Sequence, residues 1–275
     1  MNKILILLII LLPLFLFSEN TFELNTTLMN STFRIEGSGK TGTVFIIGKP
    51  LRTDPNNFYY VLVTANHVLE DIKTNQASIF LRTLTNDKHN KLPCKIDIRR
   101  NGNPLWIKHP EVDIAAMYIN LPSESNISLL TTAFLATDSL IAKFEIHPGD
   151  ELLCLGFPYG AEANKSGFPI LRSGKLSSYP ILPTKEVKSF LFDFQIFGGN
   201  SGGPVYFIDH NRFYQGATHI GKVRFIIGLV SKQLSVTEKI TSLTEETNRK
   251  HPLGLAVVIP ATYIREVVEL LPDRD

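Results

Sequence analysis

The sequence has few cysteines and almost no excess charge. Two cysteines occur in 275 residues, Cys94 and Cys154, and the sequence leaves open whether they form a disulfide or remain two buried thiols. Lys and Arg together number 28 against 26 for Asp and Glu, a formal net charge of +2. Because nucleic acids and anionic membranes attract strongly basic surfaces, this balance argues against both as main partners.

Closely spaced metal ligands are also missing. The 7 histidines are scattered along the chain, and none combines with a cysteine in the short spacing that zinc sites use. We therefore predict no metal and no cofactor.

The sequence lacks an apolar run long enough for a typical membrane span. The run at residues 4–17 is shorter than the roughly 20 residues that a spanning helix needs. Lys3 precedes this run, and the small residue Ser18 follows it. This pattern is typical of a secretory signal peptide. We predict a cleaved signal at residues 1–18, a linker at 19–32 and an exported protein, periplasmic or extracellular, without stable membrane association; an uncleaved anchor is a minor alternative.

Helical periodicity is almost absent, and short apolar, β-branched runs between Gly, Pro, Asn and Asp clusters take its place. Such runs are typical of strands. They lie at residues 43–47, 59–63, 77–81, 114–119, 151–155, 190–194, 205–208, 225–230 and 255–259. The exception is the C-terminus, where Ile264, Val267, Val268 and Leu271 form one apolar stripe at helical spacing. We predict an all-β fold with a closing helix at 261–271.

The segment 121–137 is rich in polar and turn residues and divides the β pattern near its middle. It is the best candidate for a boundary between two halves, about 33–121 and about 138–260. A site built from both halves would then lie in the cleft between them, where sites are common.

Three short motifs carry catalytic residue types in the order His, Asp, Ser. They are His67 after the run 59–63, Asp113 before the run 114–119, and Ser201 within Gly199-Asn200-Ser201-Gly202-Gly203-Pro204. A serine hydroxyl is a poor nucleophile until an imidazole accepts its proton and a carboxylate orients that imidazole. The glycines let the backbone turn tightly, so that two amide groups can form an oxyanion hole.

Each motif has a simpler structural explanation when it is taken alone. A glycine-rich turn, an exposed histidine and an aspartate at a strand start are all common. The presence of all three in this order favours nucleophilic catalysis.

With these motifs the chain resembles the trypsin-like (chymotrypsin-fold) serine proteases over about residues 33–271. Within that family it looks most like the HtrA-like and glutamyl-endopeptidase-like bacterial branches, because Val68, and not cysteine, follows His67. The resemblance implies two six-stranded antiparallel β-barrels in a protease domain at 33–272. It implies His67 as general base and acid, Asp113 as the orienting carboxylate and Ser201 as the nucleophile. The oxyanion hole would be formed by the backbone amides of Gly199 and Ser201.

The resemblance also carries expectations about substrate binding. Gln195 would stand at the floor of the specificity pocket, and Gly228-Leu229-Val230-Ser231 would belong to the strand that pairs with the substrate backbone near it. Lys232 and Gln233, also expected to bind substrate, follow where many relatives have small residues that leave the pocket open. Because Gln195 is neutral, we expect a small or medium apolar residue before the cleaved bond. Lys232 keeps glutamate open as an alternative, although a solvated lysine is the more common situation.

Two departures from the family pattern have consequences. Asn200 stands where zymogen-forming members carry an aspartate that pairs with a new N-terminal amine, so we predict activity without such an insertion. The sequence printed here has no PDZ domain after the closing helix, so we expect no chaperone role of the HtrA kind.

Two other functions compete with the serine endopeptidase. The motif around Ser201 also fits the Gly-x-Ser-x-Gly elbow of an esterase, but that elbow must lead into a helix and Pro204 with a β-type run follows here. A catalytically silent, protease-like binding protein is the second alternative. Under the main hypothesis the partners are protein or peptide substrates.

Overall fold

The computed structural model describes residues 23–241 and 246–274, and the predicted signal peptide lies outside these ranges. The strands are β1 Thr32–Gly37, β2 Lys40–Pro50, β3 Phe58–Thr64, β4 Gln76–Thr85, β5 Lys88–Asp97, β6 Arg99–Arg100, β7 Asn103–Pro104, β8 Ile107–Lys108, β9 Ala115–Tyr118, β10 Leu130–Thr131, β11 Glu151–Gly156, β12 Ile170–Leu176, β13 Phe190–Asp193, β14 Pro204–Tyr214, β15 Ala217–Thr241 and β16 Glu246–Pro260. The helices are α1 Leu24–Ser31, α2 Asn66–Asp71, α3 Asp138–Lys143, α4 Thr184–Val187 and α5 Ala261–Glu269.

The all-β prediction is confirmed, and every predicted run overlaps a strand. The closing helix is also present as α5, which buries Ile264, Val267 and Val268 on the predicted stripe. It ends at Glu269, two residues before the predicted end.

Helix α1 lies within the predicted linker and is missing from the sequence prediction. Its sequence is polar and carries two consecutive threonines, which are weak helix formers. The helix is stabilised by a cap at its N-terminus instead: the Glu23 carboxylate accepts hydrogen bonds from the amides of Asn25 and Thr26. Leu24 and Leu28, one turn apart, are both buried.

The first half is an eight-stranded sheet in the order β5-β4-β1-β2-β3-β9-β8, with β10 added beside β2. Closure of this half into the expected six-stranded, fully antiparallel barrel is not confirmed: among the described residues β5 and β8 end the path, and β10 runs parallel to β2. Strands β8 and β10 have two residues each, too short for any alternation to show in the sequence.

The second half forms a closed barrel of six strands in the order β11-β12-β13-β16-β15-β14. The predicted boundary segment leads from one half to the other: its Leu130 pairs with Ile47 of the first sheet, and its Leu135 forms a bridge to Ile226 of the barrel.

A segment of the second half, residues 157–169, is fastened to the first sheet. Arg82 is fully buried and donates hydrogen bonds to the carbonyls of Gly167, Met29 and Thr32. Glu162 forms ion pairs with Arg34 and Lys91. The two halves are thus joined beside the loop that carries Ser201.

Both cysteines are free thiols, which answers the question left open by the sequence. Cys154 is buried, and its burial raises the pKa of the thiol to about 12. No helix within the described ranges is long and apolar enough to cross a membrane.

Candidate active site

His67 and Asp113 are brought together by the pairing of β3 with β9. Thr64, at the end of β3, lies opposite Ala115, at the start of β9. His67 follows in the first turn of α2, and Asp113 precedes β9. The His67 Nδ1 atom is 2.7 Å from Asp113 Oδ2, and the His67 backbone amide donates to Asp113 Oδ1 at 3.0 Å. The carboxylate therefore fixes both the position and the tautomer of the ring.

The pair shifts both pKa values in opposite directions. Burial alone would raise the pKa of Asp113, but the hydrogen bond and charge of His67 outweigh it and lower the pKa to about 2. Burial alone would lower the pKa of His67, but the hydrogen bond and charge of Asp113 outweigh it and raise the pKa above its usual value. Asp113 is thus ionised at neutral pH, and His67 is a strengthened base.

Ser231 is a third member of this cluster. Its hydroxyl donates to Asp113 Oδ2 at 2.6 Å, and the residue is 2% exposed. The sequence predicted Ser231 as a substrate-binding residue; its side chain is instead engaged with the carboxylate, which leaves its backbone for any contact with substrate.

Ser201 lies on the loop between β13 and β14, and this loop is pressed against the first sheet. A Cβ atom on Gly202 would come within 2.1 Å of both the Thr43 carbonyl oxygen and Thr64 Oγ1, so only glycine fits here. The Thr43 amide donates to the Ser201 carbonyl at 2.9 Å. Ser201 is therefore held next to the end of β3, from which α2 carries His67.

Thr43 organises this contact, although nothing in the sequence singles it out. Its buried hydroxyl donates to the Gly199 carbonyl at 2.7 Å and accepts from the Phe157 amide at 3.3 Å. Its carbonyl accepts from the Thr64 hydroxyl at 2.7 Å. One side chain of the first sheet thus fastens two loops of the barrel.

Two peptide groups of the loop are held in fixed orientations. The Gly198 carbonyl accepts from the Tyr159 amide at 2.6 Å, and the Asn200 carbonyl accepts from the Gly203 amide at 3.0 Å. Because a trans peptide directs its N–H opposite to its C=O, the amides of Gly199 and Ser201 point away from these bonds. Neither amide donates to a backbone acceptor within the described ranges. Both predicted oxyanion donors are therefore available to a ligand.

The bond between nucleophile and base is not formed in this structure. Within the described part of the chain, no hydrogen bond joins the Ser201 hydroxyl to the His67 ring. Catalytic hydrogen bonds are often long in a protein without substrate and shorten once substrate is bound.

The remaining predicted substrate-binding residues lie at the surface. Gln195 is exposed after β13, and Lys232 is exposed on β15 beside the half-buried Gln233. Lys232 and Gln233 follow Ser231 directly, so they lie next to the His67–Asp113–Ser231 cluster along β15.

Asn200 is the loop residue directly before Ser201, and it is 2% exposed. Its Nδ2 atom is buried, and within the described residues it has no hydrogen-bond partner. A neutral amide cannot form the ion pair that an aspartate would offer an amine.

The described residues also contain no group of three or more His, Cys, Asp and Glu side chains arranged to hold a metal ion.

No protein-family model matches this sequence, and neither does any curated protein. Among solved structures the chain is similar to Rv3671c from M. tuberculosis H37Rv, an inactive form with a serine-to-alanine substitution. The identity is 15%, the match covers 90% of this chain and 91% of that chain, and the TM-score is 0.43. A structure of the Rv3671c protease in its inactive form matches at 15% identity over 89% and 90% of the two chains, with a TM-score of 0.41. Scores this low leave the chemistry to be judged from the geometry of the site.

Proposed function

We propose that this protein is a serine endopeptidase of the trypsin-like class, with Ser201 as nucleophile, His67 as general base and acid, and Asp113 as the orienting carboxylate. The main support is the Asp113 carboxylate, which holds His67 through two hydrogen bonds while Thr43 and Gly202 bring the Ser201 loop against the same strands. Membership of the HtrA-like or glutamyl-endopeptidase-like branches is proposed from the sequence around His67 alone.

In the proposed reaction, the His67 Nε2 atom accepts the proton of the Ser201 hydroxyl as the oxygen attacks the carbonyl carbon of the substrate. The negative charge on the carbonyl oxygen is stabilised by the amides of Gly199 and Ser201. His67 then returns the proton to the leaving amine, and an acyl-enzyme forms on Ser201. Water, deprotonated by the same ring, hydrolyses the ester and restores the enzyme.

A catalytically silent binding protein remains the second candidate, favoured by the unformed bond between Ser201 and His67. The esterase alternative lacks the structure that it requires: the elbow must lead from the serine into a helix, whereas Ser201 leads into strand β14.

We propose that the protein is exported and prefers a small or medium apolar residue before the cleaved bond. The export proposal derives from residues 1–18. The preference derives from the neutral, exposed Gln195; preferential cleavage after Glu would instead support a role for Lys232.

The decisive experiment compares casein hydrolysis by the purified protein, by Ser201→Ala and by Ser173→Ala, an exposed serine on β12 that serves as control. We expect the first variant to lose about 10⁶-fold in kcat and the control to lose nothing. Mass spectrometry of the products identifies the residue that is preferred before the cleaved bond. If the unmodified protein neither cleaves casein nor reacts with a fluorophosphonate probe, the binding-protein alternative replaces the endopeptidase.

A further inference from the structure

His109 is a buried histidine that takes no part in the proposed reaction. It begins the turn of residues 109–114, which leads from β8 into β9 and contains Asp113. The residue is 7% exposed, and its ring packs edge-on against the ring of Tyr263 in α5, with the ring centroids 5.0 Å apart. Because buried polar atoms need hydrogen-bond partners, the contacts of its two ring nitrogens indicate what the residue holds in place.

The Nδ1 atom of His109 accepts hydrogen bonds from two backbone amides of the turn. The Glu111 amide nitrogen lies 3.1 Å from this atom, and the Val112 amide nitrogen lies 3.3 Å from it. Neither amide donates to a backbone carbonyl within the described residues. Glu111 and Val112 are the two residues directly before Asp113. The ring therefore replaces the backbone acceptors that a turn would otherwise need.

The backbone of His109 holds the turn on the other side of Asp113. Its amide donates to the Ile114 carbonyl at 2.9 Å. One residue thus contacts the chain just before Asp113 through its ring and just after Asp113 through its backbone. Because a side chain departs from the backbone in a direction set by both neighbouring peptides, these bonds constrain where the carboxylate points.

Helix α5 fixes the orientation of the His109 ring. Since Nδ1 accepts from two amides, it carries no proton, and the ring proton lies on Nε2. The Nε2 atom is 3.1 Å from Glu266 Oε2 and donates to this carboxylate of α5. The bond to Glu266 therefore selects the tautomer in which Nδ1 is free to accept.

Another side-chain contact of the turn, an ion pair, is weaker. Glu111 pairs with Lys188 at 2.9 Å, but both side chains are about half exposed. Exposed ion pairs contribute little, because water and salt screen them. The hydrogen bonds of the buried His109 ring are therefore the main side-chain constraint on this turn.

We propose that His109 is a positioning residue for Asp113, because its ring holds the turn in the conformation that brings the carboxylate to His67. This rests on the proposed endopeptidase function and deepens it, since the closing helix then acts on the catalytic carboxylate through Glu266. His109 itself contacts neither the substrate nor the reacting atoms. Its loss should displace Asp113 and so lower the pKa of His67, which the hydrogen bond and charge of Asp113 raise.

Two substitutions separate the roles of the two ring nitrogens. An Asn side-chain oxygen can accept from the amides two and three residues later, as in Asx turns, so His109→Asn keeps the hold on the turn and loses the bond to Glu266. A Gln amide nitrogen can take the place of Nε2, so His109→Gln keeps the bond to Glu266 and loses the hold on the turn. Gln is closer to His in size, so a role in packing alone predicts that His109→Gln is the milder change.

Peptide hydrolysis measures the effect on catalysis. We expect kcat/KM to fall at least about tenfold in His109→Gln, mainly through kcat, because a misplaced catalytic group slows the chemical step without weakening substrate binding. In His109→Asn the loss should stay below about threefold. Equal losses in both variants, or a larger loss in His109→Asn, would overturn the positioning role and leave the endopeptidase intact.

The titration of the His67 ring, followed by NMR in the Ser201→Ala background, tests the position of Asp113 without any catalysis. We expect the pKa of His67 to fall by at least about half a unit when His109→Gln is added and to stay unchanged with His109→Asn. This result, combined with no cleavage by the unmodified protein, would support the positioning role and overturn the endopeptidase. An unchanged titration in both variants would overturn the positioning role.

A second pair of variants covers the case in which His109→Gln does not fold. Glu266→Ala removes the acceptor of the His109 ring, so that the ring proton can move to Nδ1, which then no longer accepts from the turn. Glu266→Gln is the matched control, because it removes the same charge and keeps an oxygen that accepts from Nε2. We expect a lower pKa of His67 in Glu266→Ala than in Glu266→Gln. Equal values would overturn the proposal.

Discussion

The two halves of the molecule position their catalytic residue types in different ways. His67, in the first half, is held through side-chain chemistry, since the Asp113 carboxylate accepts from its ring and its amide and also from the hydroxyl of Ser231 in the barrel. The Ser201 loop of the barrel is held through backbone hydrogen bonds and the close approach of glycine to the first sheet. Activity should therefore depend on the charge of Asp113 in the His67–Asp113 pair. In the Ser201 loop it should depend on the volume of a single added methyl group.

Loss of the Asp113 charge should give the largest effect on this comparison. In Asp113→Asn the amide favours the wrong tautomer of the His67 ring, and we expect kcat to fall about 10⁴-fold. The measurement is peptide hydrolysis near neutral pH, with the exposed Glu111→Gln as control. A loss below about tenfold would show that the carboxylate does not orient the base.

A methyl group added to the Ser201 loop should give the second-largest loss of activity. Gly199 has a φ of +97°, and its Cβ would lie 2.2 Å from the Phe157 carbonyl oxygen, so Gly199→Ala must move one oxyanion donor. We expect kcat to fall about 10²- to 10³-fold, the usual contribution of one such donor. Gly198→Ala is the matched control, because its Cβ has no atom within 4 Å. Equal activity of both variants would contradict the assigned oxyanion hole.

Thr43 joins the two halves, and its hydroxyl should contribute less. Thr43→Val keeps the shape of the side chain but leaves the Gly199 carbonyl and the Phe157 amide without their partner. We expect the free energy of unfolding to fall by about 1–3 kcal/mol, the usual range for unsatisfied buried groups. Urea unfolding measures it, with Thr41→Val on the same strand as control. An unchanged midpoint would show that these two hydrogen bonds contribute little.

Ser231 should give the smallest effect, visible in the pH dependence. His67 acts as a base only when neutral, and Asp113 raises its pKa, so kcat/KM should rise with pH along a limb whose midpoint lies above about 6.5. The Ser231 hydroxyl disperses part of the negative charge of Asp113. In Ser231→Ala that carboxylate holds the imidazolium more strongly, so the limb should move to higher pH by less than about one unit. A shift to lower pH would contradict the assigned hydrogen bond.

Sequence reasoning was most successful where a signal is local and repeated. Nine apolar runs predicted strands, because alternation and β-branching follow from burial on a pleated surface. Some missed elements have weak or very short patterns: α1 depends on the Glu23 cap, and β8 and β10 have two residues each. The longer strands β1, β5 and β12 were missed as well. The candidate site was indicated by motif order, yet Thr43 was missed because nothing in a strand threonine indicates a hydrogen bond to a loop 156 residues away.

The sequence by itself determined the all-β class, the closing helix and the three residue types in their order, since each depends on side chains close together in the chain. Only the tertiary structure decided that Ser231 bonds to Asp113, that Thr43 fastens the Ser201 loop and that Glu266 of the closing helix accepts from His109. Hydrogen bonds and strand pairings between distant segments depend on which groups are left unsatisfied after folding, and no local pattern records that.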